Sequence, residues 1–430
     1  RETADELEEV NNRLAAYAAE FRGPLSEIDE LADTEYRLLE AEQKFPRTEA
    51  AVLITGWVPA HAAAPLEQRL AAITHGRYAF KATFPDGTHD EQIPVLLRHS
   101  WLLRPFETLV ATYGLPSYRE LEPTLFVAIS YILMFGLMFG DVGHGLVFVL
   151  GGLFMLMRAP ARAKDFGLLL LFAGSSSMIF GAIYGSYFGI GLFKHYALWH
   201  DPLEGDPIRL MYLTIGFGIV MISLGLVLNV INRFRRGDVI GGFLDKFGIA
   251  GLLFYWGALA LLTQTAFFTS RGLLGLSIAL FLGIPLVGWA AKEPIEYLLA
   301  RRAGEKSEAH EGMTAAITES FVGAFEGVLS YLANTISFVR LAAYAMSHAA
   351  LLVAAFMLAA QVKDFQIGGS VWSIVVIILG NLIAIILEGI IASVQALRLE
   401  YYEFFGKFFS GSGQPFEPFR LAEGGEIQPS

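Results

Sequence analysis

The sequence contains no cysteine in 430 residues, so disulfides and thiolate chemistry are excluded and the redox compartment stays open. Charge is scarce as well. Asp, Glu, Lys and Arg make up 17% of the chain against 54% for the hydrophobic residues. With a mean hydropathy of +0.49, this balance is too apolar for an ordinary soluble protein and suits a polytopic membrane protein. Positive charge is not in excess: the net charge of −11 argues against nucleic acid as a partner. No GxxxxGK[ST] loop occurs, so neither an ATP site nor a cofactor is expected, and the chain reads as non-catalytic. The nine histidines lack a metal-ligand spacing; His195, His200 and Asp201, in one loop, are a weak candidate group. The chain begins at Arg1 inside a helical pattern, with neither methionine nor signal peptide, and reads as a piece of a longer one.

Two regions differ in composition. Residues 1–122 carry many charges and few long apolar runs; from Leu125 onward, hydrophobic stretches long enough to span a membrane recur. The first region is expected to be cytoplasmic. Its opening segments, "RETADELEEVNNRLAAYAAEF" and "LSEIDELADTEYRLLEAEQKF", place Leu7, Val10, Leu14 and Tyr17, then Leu25, Ile28 and Leu31, at helical spacing on acidic helices. Such helices need a partner, which fits a partial coiled coil over 1–45. A small α/β lobe is expected over 50–86, with "AAVLITGWVP" and "GRYAFKATFP" as strands around the helix "APLEQRLAAIT". Residues 87–122 connect this lobe to the transmembrane domain at 123–430.

The fold class expected is mainly α, with eight transmembrane helices at about 124–139, 142–158, 166–193, 210–232, 247–268, 272–291, 325–361 and 371–408. One set of short loops carries most of the basic residues, among them Arg158, Arg233, Arg235, Arg236, Lys246, Lys292 and Arg301. The opposite set holds Lys194, Arg209, Arg271 and Lys363. The richer set is therefore expected in the cytoplasm, together with both termini. The last two spans, each about 37 residues, would be roughly 55 Å long as helices. They must tilt strongly or protrude from a bilayer core of about 30 Å.

Polar residues line those two spans. Glu326, Ser330, Asn334, Ser337, Arg340, Tyr344, Ser347 and His348 follow steps of three and four and form one face. On the last span, Asn381, Glu388, Gln395 and Tyr402 recur at sevenfold spacing, with Arg398 beside Gln395. Ser, Asn and Tyr in such stripes also serve to glue helices together, and that reading competes for Ser330, Asn334 and Ser337. Glu326 also fits a place at the cytoplasmic water boundary. Arg340, Arg398 and Glu388 are harder to explain structurally, because an arginine at the bilayer centre costs roughly 2.5–3.5 kcal/mol. Two polar faces on long intramembrane helices point to an ion path. In "FGDVGHG", glycines permit a tight turn, and Asp141 and His144 read as its caps rather than as ion carriers.

At this point a resemblance becomes specific. "FGLMFGDVGHG", "SFVRLAAYAMSHA" and "LEGIIASVQALRLEYYEFFGKFFSGSGQPFEPF" resemble, in order, signatures of the membrane stator subunit (subunit a or subunit I) of V-type and archaeal-type rotary ATPases. "TGWVP" and "LRPFETLVATYGLPSYRELEPT" resemble that family's cytoplasmic lobe and approach to the membrane. The short loops are closer to bacterial and archaeal members. The resemblance implies a multi-pass subunit of the cell membrane, without ATP chemistry of its own. Its expected partners are a rotor ring of small carboxylate-bearing membrane subunits and, through the cytoplasmic region, peripheral-stalk subunits. It also implies two ion half-channels for protons or sodium, with Arg340 and Arg398 between them. Glu388 and His348 would belong to the outer half-channel and Glu326 to the cytoplasmic one; Gln395, Tyr344 and Ser347 lie on the same faces. Ala345 departs from the many eukaryotic members that carry serine there. The competing reading is a secondary transporter or channel binding a solute along the same stripes. Its mark, paired broken helices in matching halves, is not found in the sequence.

Overall fold

The computed structural model describes residues 2–85, 93–190, 202–203, 206–263, 278–303, 313–364 and 368–419. The chain is mainly helical and divides into two compact units: residues 1–85 with 415–430, and residues 86–414.

In the first unit, α1 (Glu2–Lys44) is one uninterrupted helix where two were expected; it carries Pro24 in its interior. From Val10 to Leu31 its apolar stripe stays exposed, with Leu14, Leu25 and Ile28 each at 62%. The helix α2 (Ala60–Ile73) lies where the lobe helix was expected. The two flanking strands do not form. Residues 50–59 contribute a single isolated bridge, Arg47 to Val52, and 77–85 are not in a strand. β-propensity alone does not make a strand: a ladder needs a paired edge and a covered face, and Leu53, Ile54 and Trp57 are exposed.

The second unit opens with α3 (Arg104–Tyr113), which buries Phe106 and Val110. The ring of Phe106 packs near Tyr131 and Phe172 of the first apolar helices. Next come α4 (Thr124–Met138), α5 (Val142–Arg158), α6 (Ala161–Tyr184), α7 (Pro207–Arg236), the short α8 (Val239–Leu244), α9 (Ile249–Leu262) and α10 (Ile284–Ala303). The pair α5–α6 is packed through glycine. A Cβ on Gly145 would stand 2.7 Å from the Gly174 carbonyl oxygen, and one on Gly152 2.5 Å from that of Gly167. Small residues at these points let the backbones touch, the means by which helices associate where apolar solvent gives no hydrophobic drive. The helix α7 is fully signalled: Asp206 caps its start through the Ile208 N–H, Pro207 follows, Gly237 closes it in the left-handed region, and Arg233, Arg235 and Arg236 fill its last turn.

The last two helical runs are α11 (Met313–Ser337) continuing into α12 (Val339–Lys363), and α13 (Gly369–Phe408). The first breaks at Phe338, whose buried ring sits where Gly218 of α7 leaves no side chain. The second contains two stretches of π-helix, Ala384–Glu388 and Leu399–Phe405. Its end is clasped on α7. Arg236 pairs with the buried Glu120 at 2.7 Å, Glu120 accepts the Ser410 N–H, and Asn232 donates to the Phe408 carbonyl.

Among the described residues, five helices are long and apolar enough to cross a membrane: Ala163–Tyr184, Pro207–Arg236, Val239–Leu262, Ile317–Lys363 and Gly369–Phe408. Thr124–Met138 and Val142–Arg158 are apolar but shorter. The expected span at 272–291 begins outside the described residues, and its continuation in α10 carries Lys292 and Glu293. The third expected span stops at Tyr184 instead of running to 193, because Gly185 turns left-handed there.

Candidate functional site

The polar residues of the last two helices do not form one continuous line. They gather into separate clusters, and the geometry of α13 explains why. A sevenfold repeat keeps one face only on a regular α-helix, and each π segment turns the residues after it back around the axis. Accordingly Asn381 is buried, Glu388 and Gln395 are half-buried, and Tyr402 is 73% exposed. Gln395 keeps its Oε1 buried without a hydrogen-bond partner.

The first cluster is dry. Glu388 closes the first π segment and meets His348 of α12, with Oε2 2.5 Å from Nδ1. Across from them lies the turn between α4 and α5. Asp141, fully buried, caps α5 by accepting the His144 N–H at 2.9 Å. The same carboxylate accepts the Phe188 N–H at 3.0 Å, the Gly189 N–H at 3.2 Å and the Ser186 hydroxyl at 2.6 Å. Gly181 makes this turn possible, since a Cβ there would meet the Val142 nitrogen at 2.4 Å. The His144 ring is buried edge-to-face on that of His348, with centroids 5.4 Å apart, and its Nε2 stands 2.8 Å from Asn381 Oδ1. A cavity of about 30 Å³ opens against His348 between Gly140, Ser186 and Leu352. A wider recess of about 470 Å³ adjoins it through Gly189, Ile190 and Val353.

The second cluster holds the cations. Arg340 is half-buried, with Nη1 3.9 Å from Glu403 Oε1. That Nη1 is buried and, beyond this ion pair, has no hydrogen-bond partner. Arg398 is exposed on α13, and Glu403 feels the charge of both arginines. Tyr344 is half-buried beside the core, whereas Ser347 is exposed and lines neither opening near His348.

The third cluster is wet. Glu326, with 67% of its side chain exposed, pairs with Lys246 at 3.2 Å. Both line an open cleft of about 790 Å³ with Asp245, Lys292 and Glu293. Asp245 is held by Arg233 at 2.8 Å and by Lys292 at 3.1 Å. Between this cleft and the arginines, Lys407 reaches Ser330 at 3.3 Å and lies over the Phe247 ring at 4.4 Å.

The structure thus brings together Glu388 with His348, and Arg340 and Arg398 around Glu403, and it keeps Glu326 apart from both groups. Sequence reading missed Glu403, Lys407, Lys246 and the role of His144 beside His348. A signal was present for some of them: Glu400, Glu403 and Lys407 interrupt an apolar run that should carry no charge. Glu400 is fully buried and accepts a hydrogen bond from Ser130. The loop group His195, His200 and Asp201 lies outside the described residues.

Long apolar helices enclosing paired intramembrane charges define a multi-pass membrane protein. The family follows from comparison. The profile of the V-type ATPase 116kDa subunit family matches residues 7–204 and 292–421, and the chain belongs to this family. It is similar to the A-type ATP synthase subunit I of Methanocaldococcus jannaschii, 26% identical over 95% of this chain and 60% of that protein. The protein of the same name from Pyrococcus abyssi is 29% identical over 96% of this chain and 60% of its own length. A V-type ATP synthase subunit I 2 of Treponema pallidum is 35% identical over 42% of this chain and 46% of that protein. The chain spans about 60% of the length of the archaeal relatives.

Proposed function

We propose that this chain is the ion-translocating stator of a rotary ATPase, coupling the passage of protons, or of sodium, to rotation of a carboxylate-bearing ring. The observation that carries the reading is the incompletely hydrogen-bonded guanidinium of Arg340. A permanent cation, costly at this depth, keeps an Nη1 without a hydrogen-bond partner, and its acidic neighbour among the described residues, Glu403 at 3.9 Å, also feels Arg398. A rotor carboxylate crossing lipid is stable as the neutral acid. Beside a fixed guanidinium its anion is favoured, so the proton leaves. Past the arginines the carboxylate is reloaded from the other side.

In this reading the His348–Glu388 cluster belongs to the outer half-channel and the Glu326 cleft to the cytoplasmic one. Arg340, with Arg398 and Glu403, forms the barrier between them. Eight spans, cytoplasmic termini, a place in the cell membrane and contacts with peripheral-stalk subunits are part of the same proposal. The exposed stripe of α1 supports the last, since it is a face fit for a partner helix. The chain carries no nucleotide motif, so ATP chemistry belongs to other subunits.

The test is Arg340→Ala in the assembled complex, with ATP-driven acidification of vesicles, or sodium uptake, as readout. Coupled transport is expected to disappear while assembly persists; near-normal pumping overturns the proposal.

A further inference from the structure

The dry cluster has a property that the transport reading does not use. His144 and His348 each hold a bare imidazole nitrogen in the protein interior: His144 Nδ1 and His348 Nε2 are buried and without a hydrogen-bond partner. Their protonation follows from the neighbours. The Asn381 amide is oriented by its own bond, Nδ2 donating to the Ile377 carbonyl at 2.9 Å. Its Oδ1 therefore faces His144, and His144 Nε2 must carry the proton it donates. Neutral His144 then has its lone pair on Nδ1. On His348 the Nδ1–H donates to the Glu388 carboxylate, which leaves the lone pair on Nε2. Burying a lone pair without a donor is costly, and here two lie on rings packed edge to face.

We propose that this pair is a binding site for a divalent transition-metal cation of the zinc class. Both imidazoles already have the arrangement found in metal-bound histidines, in which one nitrogen donates to a carbonyl or carboxylate and the other is free to ligate. The countercharge is present: Asp141 Oδ1 lies 3.9 Å from His144 Nδ1. Asp141, His144 and His348, all buried, each offer a ligand atom within 4.8 Å of the others. A zinc tetrahedron with bonds of about 2.0–2.1 Å separates its ligands by about 3.3 Å, so ligand atoms that lie within 4.8 Å of one another must close further on binding. The four acceptor sites of Asp141 are already filled by three N–H groups and Ser186. Asp141 therefore contributes charge, and water from the cavity beside His348 completes the shell. That cavity is also the route of entry.

The site follows from these side chains alone. Its consequence for transport rests on the proposed outer half-channel: a bound cation occupies the nitrogens that face the path and blocks it. The experiment titrates zinc chloride into the detergent-solubilised complex, alongside its His144→Phe, His348→Phe and Asn381→Leu variants. Zinc bound to this chain is quantified, and its coordination is read by X-ray absorption. The expected result is one zinc per chain with two imidazole nitrogens in the shell. Affinity is expected to fall by at least about tenfold in each variant, including Asn381→Leu, which touches no metal but frees the His144 tautomer. Absence of saturable binding, an oxygen-only shell, or equal affinity in all variants overturns the proposal. Should a phenylalanine variant fail to assemble, the spectrum of the unaltered complex still decides. Zinc bound as described with unimpaired pumping keeps the metal site and overturns the outer half-channel.

Discussion

The two ends of the paired helical runs, α11–α12 against α13, solve the problem of charge in opposite ways. At the His348 end, the ionisable groups are enclosed. Glu388 contacts a histidine, Asp141 is saturated by four donors, and the cavity beside them is small, about 30 Å³. At the Glu326 end, the acid is exposed, its lysine partner is within reach of solvent, and the cleft is open. A buried pair is sensitive to the loss of either member, because the survivor keeps its desolvation cost. An exposed pair contributes little and is easily replaced by water. The two ends should therefore respond very differently to the same kind of substitution, with the arginines as the most sensitive point of all.

The largest effect is expected at that point. Arg340→Lys keeps a charge but loses the planar fork and the fixed protonation. ATP-driven pumping in vesicles should fall by roughly a hundredfold or more, as when one preorganised electrostatic partner is removed. Retention of half the rate would break the distinction drawn between the centre and the two ends. Next comes Glu388→Gln, which removes the acid but not the volume at the dry end. A loss of roughly tenfold to a hundredfold in pumping is expected, on the scale of a single proton-transfer group. Glu326→Gln, at the wet end, should cost about twofold, because solvent in the cleft supplies the missing interactions. Equal losses in these two variants would contradict the difference between the ends.

Stability offers a smaller contrast of the same kind. Ser186→Ala removes the 2.6 Å hydrogen bond to buried Asp141 and should destabilise the unit by about 1.5–3 kcal/mol. Lys246→Ala should change it by less than about 1 kcal/mol. Thermal unfolding of the detergent-solubilised complex compares the two. Equal shifts would mean that the dry cluster is wetter than its packing indicates.

How far the sequence exposed all this depended on the kind of signal. Arg340, Glu388 and His348 were legible because a charge inside an apolar helix has no ordinary explanation. The resemblance grouped Glu388 with His348, and the structure brings the two side chains into contact. The caps of α7 were equally open to reading, with Asp206, Pro207 and Gly237 in their usual places. The π segments of α13 were not, because no residue type specifies an i→i+5 turn; tertiary packing imposes it, and it broke the sevenfold stripe toward Tyr402. Asp141 was read as a cap, which it is, but His144 could not be assigned to His348 without knowing that α5 passes α12. The strands expected at 50–59 and 76–85 are not seen, for the reverse reason. Their composition suits a sheet, yet a ladder depends on a neighbouring edge that composition does not show.

One measurement tests the central division directly. The chain has no cysteine, so an introduced thiol on it is unique. Asn334→Cys and Ala349→Cys stand six residues before and nine residues after Arg340, roughly 9 Å and 14 Å along the helix. A small membrane-impermeant methanethiosulfonate is applied to one face at a time of sealed vesicles containing the complex, and modification of this chain is read by mass. Position 334 should react from the face bearing the Glu326 cleft, and position 349 from the opposite face alone. Reaction of both positions from the same face would contradict two separate entries divided by Arg340.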